Sequence, residues 1–249
     1  MNFFNDVGYI LANYWQDFLL GVAWTLAISL VSTLIGLLLG LIIGIIRTIP
    51  YSKNKIVFGL QKFINFLLTA YIEVFRGTPM MVQAVVIYWG YAFMMGGNTL
   101  PLIPSAIVIV SINTGAYIAE IVRGGINSID KGQFEGAHSL GMNHFQTMVH
   151  VIIPQVMKNI LPAVSNEFVI NIKDTSVLNV IGVTELYFMM SVTVKMTYKN
   201  FPVYFIGCVI YFLLTFSITR IIKFIEKKLN GKKNYSLYTS NAIGEVING

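Results

Sequence analysis

Charged residues are scarce in this sequence, which indicates the solvent that the chain meets. Only 11% of its 249 residues are Asp, Glu, Lys or Arg, whereas 55% are hydrophobic. A soluble domain carries about 25% charged residues. The shortfall indicates that much of the surface faces lipid. The length suits one membrane domain of a few helices and leaves no room for a second large domain.

Cysteine and catalytic groupings are sparse as well. Cys208 is the single cysteine, so an internal disulfide is excluded. His138, His144 and His150 lie six residues apart, a spacing that scatters their rings around a helix, so no metal site is predicted. No Ser–His–Asp grouping stands out, and the phosphate-binding pattern G-x-x-x-x-G-K-[ST] is absent. We therefore predict neither catalysis nor ATP binding by this chain.

Five apolar runs predict an all-α protein that crosses the membrane five times. The predicted spans are residues 18–46, 78–95, 102–122, 160–188 and 202–222. Residues 56–75 read as a mixed helix that carries Lys62 and Glu73. The membrane domain is thus 18–228, with an external segment 1–17, a polar, amphipathic loop at 124–159 and a disordered cytoplasmic tail at 229–249.

Three glycines in the first predicted span indicate where a second helix packs. Gly36, Gly40 and Gly44 recur at four-residue spacing, which places them on one face. Such a face lets another helix backbone approach closely. We therefore predict a tight helix–helix contact along it.

The basic residues predict how the chain is oriented. A net charge of +6 is also found in proteins that bind nucleic acid, but here the basic residues cluster at the ends of apolar runs. That placement fits lipid headgroups and the positive-inside rule better. On the C-terminal side of the predicted topology lie Arg47, Lys53, Lys55, Lys62, Arg76, Arg123, Lys131, Lys158 and the cluster from Arg220 to Lys233. We predict an external N-terminus and a cytoplasmic C-terminus. No Lys or Arg precedes Arg47, so no cleaved signal peptide is predicted.

The loop at 124–159 has an apolar face. Phe134, Ala137, Gly141, Phe145 and Met148 follow spacings of 3, 4, 4 and 3, which is one helix face. Gly141 also permits a sharp turn out of the helix. A helix with such a face docks on a partner, on the membrane surface or on the core of its own chain.

This loop carries a resemblance to a known family. Glu135-Gly136-Ala137, then Gly141, then Val151-x-Ile153-Pro154 resembles the "EAA" loop of bacterial ABC importer permeases, with Gly136 where the family usually has Ala. The stretches 71–83, 115–126 and 172–178 resemble the polar amino acid branch of that family.

The resemblance covers about residues 15–228 and implies an ABC importer type I permease in a bacterial cytoplasmic membrane. Such a permease works as two copies or paralogues, with two ATPase subunits that bind ATP and Mg²⁺ and with an extracellular or periplasmic solute-binding protein. The implied function is ATP-driven import of a polar amino acid. Within this chain the coupling loop to the ATPase would contain Glu135, Gly136, Ala137, Gly141 and Pro154.

Ionisable residues inside a predicted span are candidate functional groups, because each costs about 2.5–3.5 kcal/mol on insertion scales. Lys173 and Asp174 are adjacent and point about 100° apart on a helix, so they do not pair with each other. Thr175 and Ser176 follow, and their hydroxyls are candidates to hydrogen-bond a zwitterionic amino acid. This segment either lines the substrate path at a dimer axis or clamps neighbouring helices.

Two further charged pairs are candidates for structural or gating roles. Glu73 precedes Arg76 by one helical turn and is its natural partner, beside the Gly77-Thr78-Pro79 break. Glu120 and Arg123 lie one turn apart at the end of the third predicted span, where bracing of the loop is expected.

Two other classes of protein compete with this interpretation. An ATP-independent secondary transporter or channel predicts broken helices in matched halves, into which five spans do not divide. A membrane scaffold or enzyme that does not transport leaves the apolar loop helix and the buried charges unexplained.

Overall fold

The computed structural model describes residues 2–229, which form helices joined by short turns. In chain order the helices are α1 (Phe3–Ile46), α2 (Lys55–Gly77), α3 (Met80–Met94), α4 (Leu102–Asn127), α5 (Lys131–Ser139), α6 (His144–Thr147), α7 (Ile153–Asp174), α8 (Leu186–Thr197) and α9 (Asn200–Leu229). A π-helical turn (Met148–Ile152) joins α6 to α7, and a 3₁₀ segment (Thr175–Ile181) follows α7. The predicted all-α class is confirmed. The predicted tail, 229–249, lies outside the described residues except for its first position.

Within residues 2–229, five helices are long and apolar enough to cross a membrane, as predicted, but they are not the predicted set. They are α1, α2, α4, the continuous run His144–Ile181 and α9. The predicted second span corresponds to α3. Its 15 residues extend only about 22 Å, which is less than the thickness of a ~30 Å hydrocarbon core. The mixed helix became the longer α2. Pro79 separates α2 from α3. It is the N-cap of α3, and it ends α2 because the residue before a proline avoids the helical region.

The N-terminal segment 1–17 is helical from Phe3 and continues into the first predicted span, so no helix end marks residue 18. α1 begins at Phe3 and runs for 44 residues. Its first turns pack on the other end of the chain, since Ile10 and Phe18 are buried in a cluster with residues of α8 and α9. Asp6 forms an ion pair with Lys199. The aspartates in this segment lower its hydropathy, which is what the sequence shows. They do not end the helix.

The glycine face of α1 packs on α4, as predicted. A Cβ added at Gly36 would lie 3.0 Å from Thr114 Cβ, and one at Gly44 would lie 2.6 Å from Val122 Cγ1. The matched order of these contacts shows that α1 and α4 run in the same direction. Glycine is therefore required for the close approach of the two helices.

The predicted fourth span, 160–188, is wrong at both ends. The helical run begins at His144, inside the predicted loop, and ends with the 3₁₀ segment at Ile181. Gly182 then turns the chain with a φ of 92°. Glu185 starts α8 as its N-cap by accepting hydrogen bonds from the N–H groups of Tyr187 and Phe188. Side-chain capping therefore separates α8 from α7 where hydropathy alone joins them.

Candidate functional site

Two amide side chains form hydrogen bonds to the backbone at the break between α2 and α3. The Gln83 amide donates to the carbonyls of Phe75 and Thr78, at 3.0 and 2.9 Å. Asn113 of α4 donates to the same Phe75 carbonyl and to Gln83 Oε1, at 3.2 and 2.9 Å. These bonds satisfy carbonyls that the interrupted helix leaves free, which membranes require of broken helices. Asn113 was not predicted from the sequence, where it differs from its neighbours only as an amide in an uncharged run.

A second buried polar cluster joins α7 to α1 and α4. The Asn171 amide donates to Thr33 Oγ1 at 2.8 Å and to Thr114 Oγ1 at 3.0 Å. All three side chains are buried. The sequence analysis missed this cluster, because single Thr and Asn residues in apolar runs carry no periodic signal.

These contacts place both clusters near the middle of the membrane. Thr114 packs against Gly36, which precedes Arg47 by eleven residues, or about 16 Å of helix. That distance is about half of a ~30 Å hydrocarbon core whose boundary Arg47 marks. Asn113 and Asn171 lie at the same level, so the α2–α3 break and the end of α7 are at mid-membrane depth.

The exposed face of α7 is charged at this depth. Lys173 and Asp174 are both exposed and are not joined by an ion pair, in agreement with their predicted divergence. Glu167 precedes Asp174 by seven residues, two turns, and so lies on the same side of α7. It is within electrostatic range of Asp174 and of Arg76. The described part of α7 thus presents carboxylates on one side and Lys173 on the other.

The two hydroxyls that follow lie in different environments. Thr175 is fully buried, and its hydroxyl donates to the Ile172 carbonyl at 3.1 Å. Ser176 is half-buried. In this conformation the Thr175 hydroxyl donates within the helix and is buried, so its contact with a zwitterionic solute stays a prediction.

Arg76 does not pair with Glu73, so that prediction is wrong. The ion pairs within residues 2–229 are Arg47–Glu120, Arg123–Glu120 and Lys199–Asp6. The Arg76 guanidinium instead lies over the ring of Tyr117 in α4, with Cζ 5.4 Å from the ring centroid. A cation–π contact of this kind keeps the arginine beside the α2–α3 break.

Glu120 binds two arginines at the end of α4. Arg123 donates to its carboxylate at 2.7 Å, and Arg47 at the end of α1 also donates to it. Arg47 reaches Thr69 of α2 at 3.3 Å as well. The carboxylate therefore joins α4 to α1 and, through Arg47, to α2, where sequence spacing alone indicated only Arg123.

Glu120→Gln is expected to lower the free energy of unfolding by about 1–2 kcal/mol, because two arginines lose a charged acceptor in a partly exposed site. Thermal unfolding of the purified protein in detergent measures the effect. Glu73→Gln is the matched control, because Glu73 is exposed and forms no ion pair among the described residues. Equal destabilisation by both variants would contradict this assignment.

The predicted loop helix is shorter than its apolar pattern indicates. α5 begins at the Asp130 N-cap and ends at Ser139, where Gly141 adopts a φ of 79°. The Met142 N–H then bonds back to the Ala137 carbonyl at 3.1 Å. The five-residue apolar face is therefore divided between two helices, and the prediction of one continuous face is wrong.

The two sides of α5 differ in exposure. Ala137 is buried and Phe134 packs against a core cluster of the chain's own α4 and α7. Glu135 and Gly136 face outward, and Pro154 lies exposed in the first turn of α7. Beyond α5, Leu140 and Phe145 are 84% and 73% exposed. Two large apolar side chains beside a polar helix are typical of a protein-binding surface.

Comparisons with known proteins agree with this geometry. Residues 36–231 match the family described as binding-protein-dependent transport system inner membrane component. The putative glutamine transport system permease protein GlnP of Rickettsia felis is 35% identical over 195 residues, which cover 73% of this chain and 89% of the relative. Glutamine transport system permease protein GlnP of Escherichia coli is 36% identical over 167 residues, covering 66% of this chain and 75% of the relative.

Two solved structures share the fold. A crystal structure of an amino acid ABC transporter with histidines matches with a TM-score of 0.76 and 36% identity, over 92% of this chain and 99% of that one. The inward-facing MetNI methionine ABC transporter matches with a TM-score of 0.63 at 19% identity, over 82% and 94% of the two chains, which shows the fold alone. The chain thus belongs to the family of inner membrane components of binding-protein-dependent transport systems. It is the membrane-spanning permease of an ABC importer.

Proposed function

We propose that this permease carries a polar amino acid across the bacterial cytoplasmic membrane, driven by separate ATPase subunits. The observation that supports the solute class is the charged face of α7 at mid-membrane depth. Asp174 and Lys173 are exposed there without ion-pair partners among the described residues. Charges in that position face water or a polar solute rather than lipid. The names of the relatives, for glutamine and amino acid transport, point to the same class.

The solute-binding groups lie beside the α2–α3 break. Glu167 and Asp174 accept hydrogen bonds from the ammonium group of the amino acid, and Lys173 forms an ion pair with its carboxylate. Arg76, over Tyr117, is a charged neighbour of Glu167. In a site with a low dielectric constant, such charges act strongly on a zwitterion.

Asp174→Asn and Lys173→Gln are expected to change which labelled amino acids are transported, while the protein level and ATPase binding stay intact. Each side chain is exposed and forms no ion pair among the described residues, so neutralising it removes no ion pair within the chain. Uptake of several labelled amino acids, measured beside a membrane-level blot, tests the expectation. A collapsed protein level with unchanged selectivity would show that the two residues clamp helices instead.

The ATPase subunit docks on the outer side of α5 and on the exposed apolar residues beside it. Glu135 and Gly136 face outward there, and Ala137 fixes α5 on the chain's own core. Closure of two ATPase subunits around ATP and Mg²⁺ then moves α5, and α7 follows because the α6–α7 run is continuous with the docking surface. The further partners are a second permease copy or paralogue, an external solute-binding protein and membrane lipid, without nucleic acid.

The proposed orientation places α5 in the cytoplasm and the N-terminus outside. Single cysteines at Asn98, Asn127 and Tyr198, in a Cys208→Ser background, test it with a membrane-impermeant thiol reagent. Positions 98 and 198 are expected to react in intact cells, and position 127 only after permeabilisation. Reaction of position 127 from outside would reverse the orientation and remove α5 from the reach of a cytoplasmic ATPase.

A further inference from the structure

A groove lies between α7 and α9, and only Lys173 of its lining residues belongs to the proposed site. It contains two adjoining cavities of about 270 and 170 Å³, which share Val169, Thr219 and Lys223 in their walls. Lys173 and Arg220 line the larger cavity, and Asn166 and Glu226 line the smaller one. Because the two cavities share walls, they form one channel-like groove along the exposed face of α7.

The α9 wall of this groove is a polar stripe in an otherwise apolar helix. Thr215, Thr219, Lys223 and Glu226 follow spacings of 4, 4 and 3, which places them on one face. Arg220 stands beside that stripe with its Cζ 4.9 Å from the centroid of the Phe216 ring. A stripe of this kind in a membrane helix faces protein or water rather than lipid.

The groove carries three cations that are not in ion pairs. Lys173, Arg220 and Lys223 are all exposed, and none belongs to the ion pairs found in residues 2–229. Lys173 follows Asn171 by two residues and therefore lies near the membrane midplane. Lipid headgroups do not reach that depth, so the upper part of the groove faces water, a polar solute or protein rather than lipid.

Charge is separated across α7. Lys173 lines the groove with Arg220 and Lys223 of α9. Asp174 projects about 100° away around α7, on the same side as Glu167, which has Arg76 as a charged neighbour. A zwitterion that crosses this face meets cations on one side and carboxylates on the other. Three cations against one groove carboxylate, Glu226, also give the α9 side a net positive potential.

We propose that Lys173 binds the α-carboxylate of the passing amino acid, and that Arg220 and Lys223 set a charge preference by attracting an anionic side chain and repelling a cationic one. Zwitterionic and acidic amino acids are admitted, and amino acids with a net positive charge are disfavoured by repulsion. Arg220 and Lys223 are thus specificity-determining residues on the route from the midplane to the face that carries α5. This inference rests on the proposed amino acid transport.

Binding of radiolabelled glutamate, glutamine and arginine to the purified permease–ATPase complex in lipid nanodiscs, without the solute-binding protein, tests the inference. Glutamate and glutamine are expected to bind more tightly than arginine. Arg220→Gln and Lys223→Gln are each expected to weaken glutamate binding by about tenfold, because a charge-assisted hydrogen bond to its side-chain carboxylate is lost. Glutamine binding should weaken less, and arginine binding should be unchanged or tighter.

Matched variants separate this role from a loss of folding or of general charge. Arg220→Lys should keep the preference, and Lys228→Gln, which removes a charge from an exposed residue of α9 outside both cavities, should leave all three affinities unchanged. Equal weakening of all three ligands, or an effect of Arg220→Gln that appears only with anionic lipid in the disc, would overturn the inference. A wild-type complex that binds and transports no amino acid would instead overturn the proposed function.

Discussion

Replacing Gly40 with leucine is expected to remove most of the folded protein from the membrane. A Cβ at this position would lie 2.6 Å from Ile118 Cγ2 and 2.9 Å from the backbone nitrogen of Ala119. A rotamer change can move the isoleucine but not the backbone, so α1 and α4 must separate. Overpacking typically costs about 1–3 kcal/mol, and here the added side chain opens the contact that joins the two most closely packed helices.

The level of tagged protein in membranes and its thermal unfolding in detergent measure this effect. Gly8→Leu is the matched control on the same helix, since no atom lies within 4 Å of a Cβ at Gly8. The control should keep the wild-type level and melting temperature. A normal level of the Gly40→Leu variant would contradict the close packing of α1 on α4.

Gly141→Asp is expected to abolish transport and to weaken ATPase binding while the chain still inserts. Within the chain, a Cβ at Gly141 meets no atom within 4 Å, so the permease itself has room for the side chain. The φ of 79° strains any L-residue, although aspartate tolerates this region better than most. On the proposed docking of an ATPase beside α5, the loss of coupling is expected to arise at that partner, because Leu140 and Gly141 are exposed on the surface of the chain.

ATP-driven uptake and copurification of the ATPase measure this second effect. Gly96→Asp is the control with the same substitution at a similar φ of 64°, again with no atom within 4 Å, in the turn after α3. It should retain coupling, and Glu135→Ala should reduce coupling more mildly than Gly141→Asp. If Gly141→Asp transports normally, or if Gly96→Asp is equally impaired, α5 is not the coupling element.

Helix packing and helix class were predictable because they depend on patterns that repeat along the sequence. Gly36, Gly40 and Gly44 recur at a fixed spacing, and that spacing is the physical requirement for the α1–α4 contact. Apolar runs likewise indicate membrane helices, and their number was right. Both features are local, so one sequence contains all the information they need.

Helix ends and polar contacts inside the membrane were not predictable in the same way. The α2–α3 break depends on Gln83 and on Asn113, two amides thirty residues apart that meet only in the folded chain. The end of α7 depends on the 3₁₀ segment and on the left-handed Gly182, which hydropathy does not register. A single amide or glycine leaves no periodic trace, so tertiary contacts decide these positions.

The candidate site was half predictable for the same reason. Lys173 and Asp174 stood out because ionisable residues are rare in spans. Their divergence followed from helix geometry, but the neighbours on each side did not. Only the fold places Lys173 against α9 and Asp174 on the side of Glu167. Sequence spacing predicted an ion pair between Arg76 and Glu73, whereas in the structure the Arg76 guanidinium lies over the ring of Tyr117 in α4.

The central claim is that this permease moves a polar amino acid with energy from a separate ATPase. The most direct measurement is uptake of a labelled polar amino acid into proteoliposomes that contain the chain copurified with its ATPase, with the solute-binding protein added outside. Uptake is expected only with ATP and Mg²⁺ on the α5 side, and it should persist when ion gradients are collapsed. Uptake by the chain alone, driven by an ion gradient and indifferent to ATP, would contradict the account.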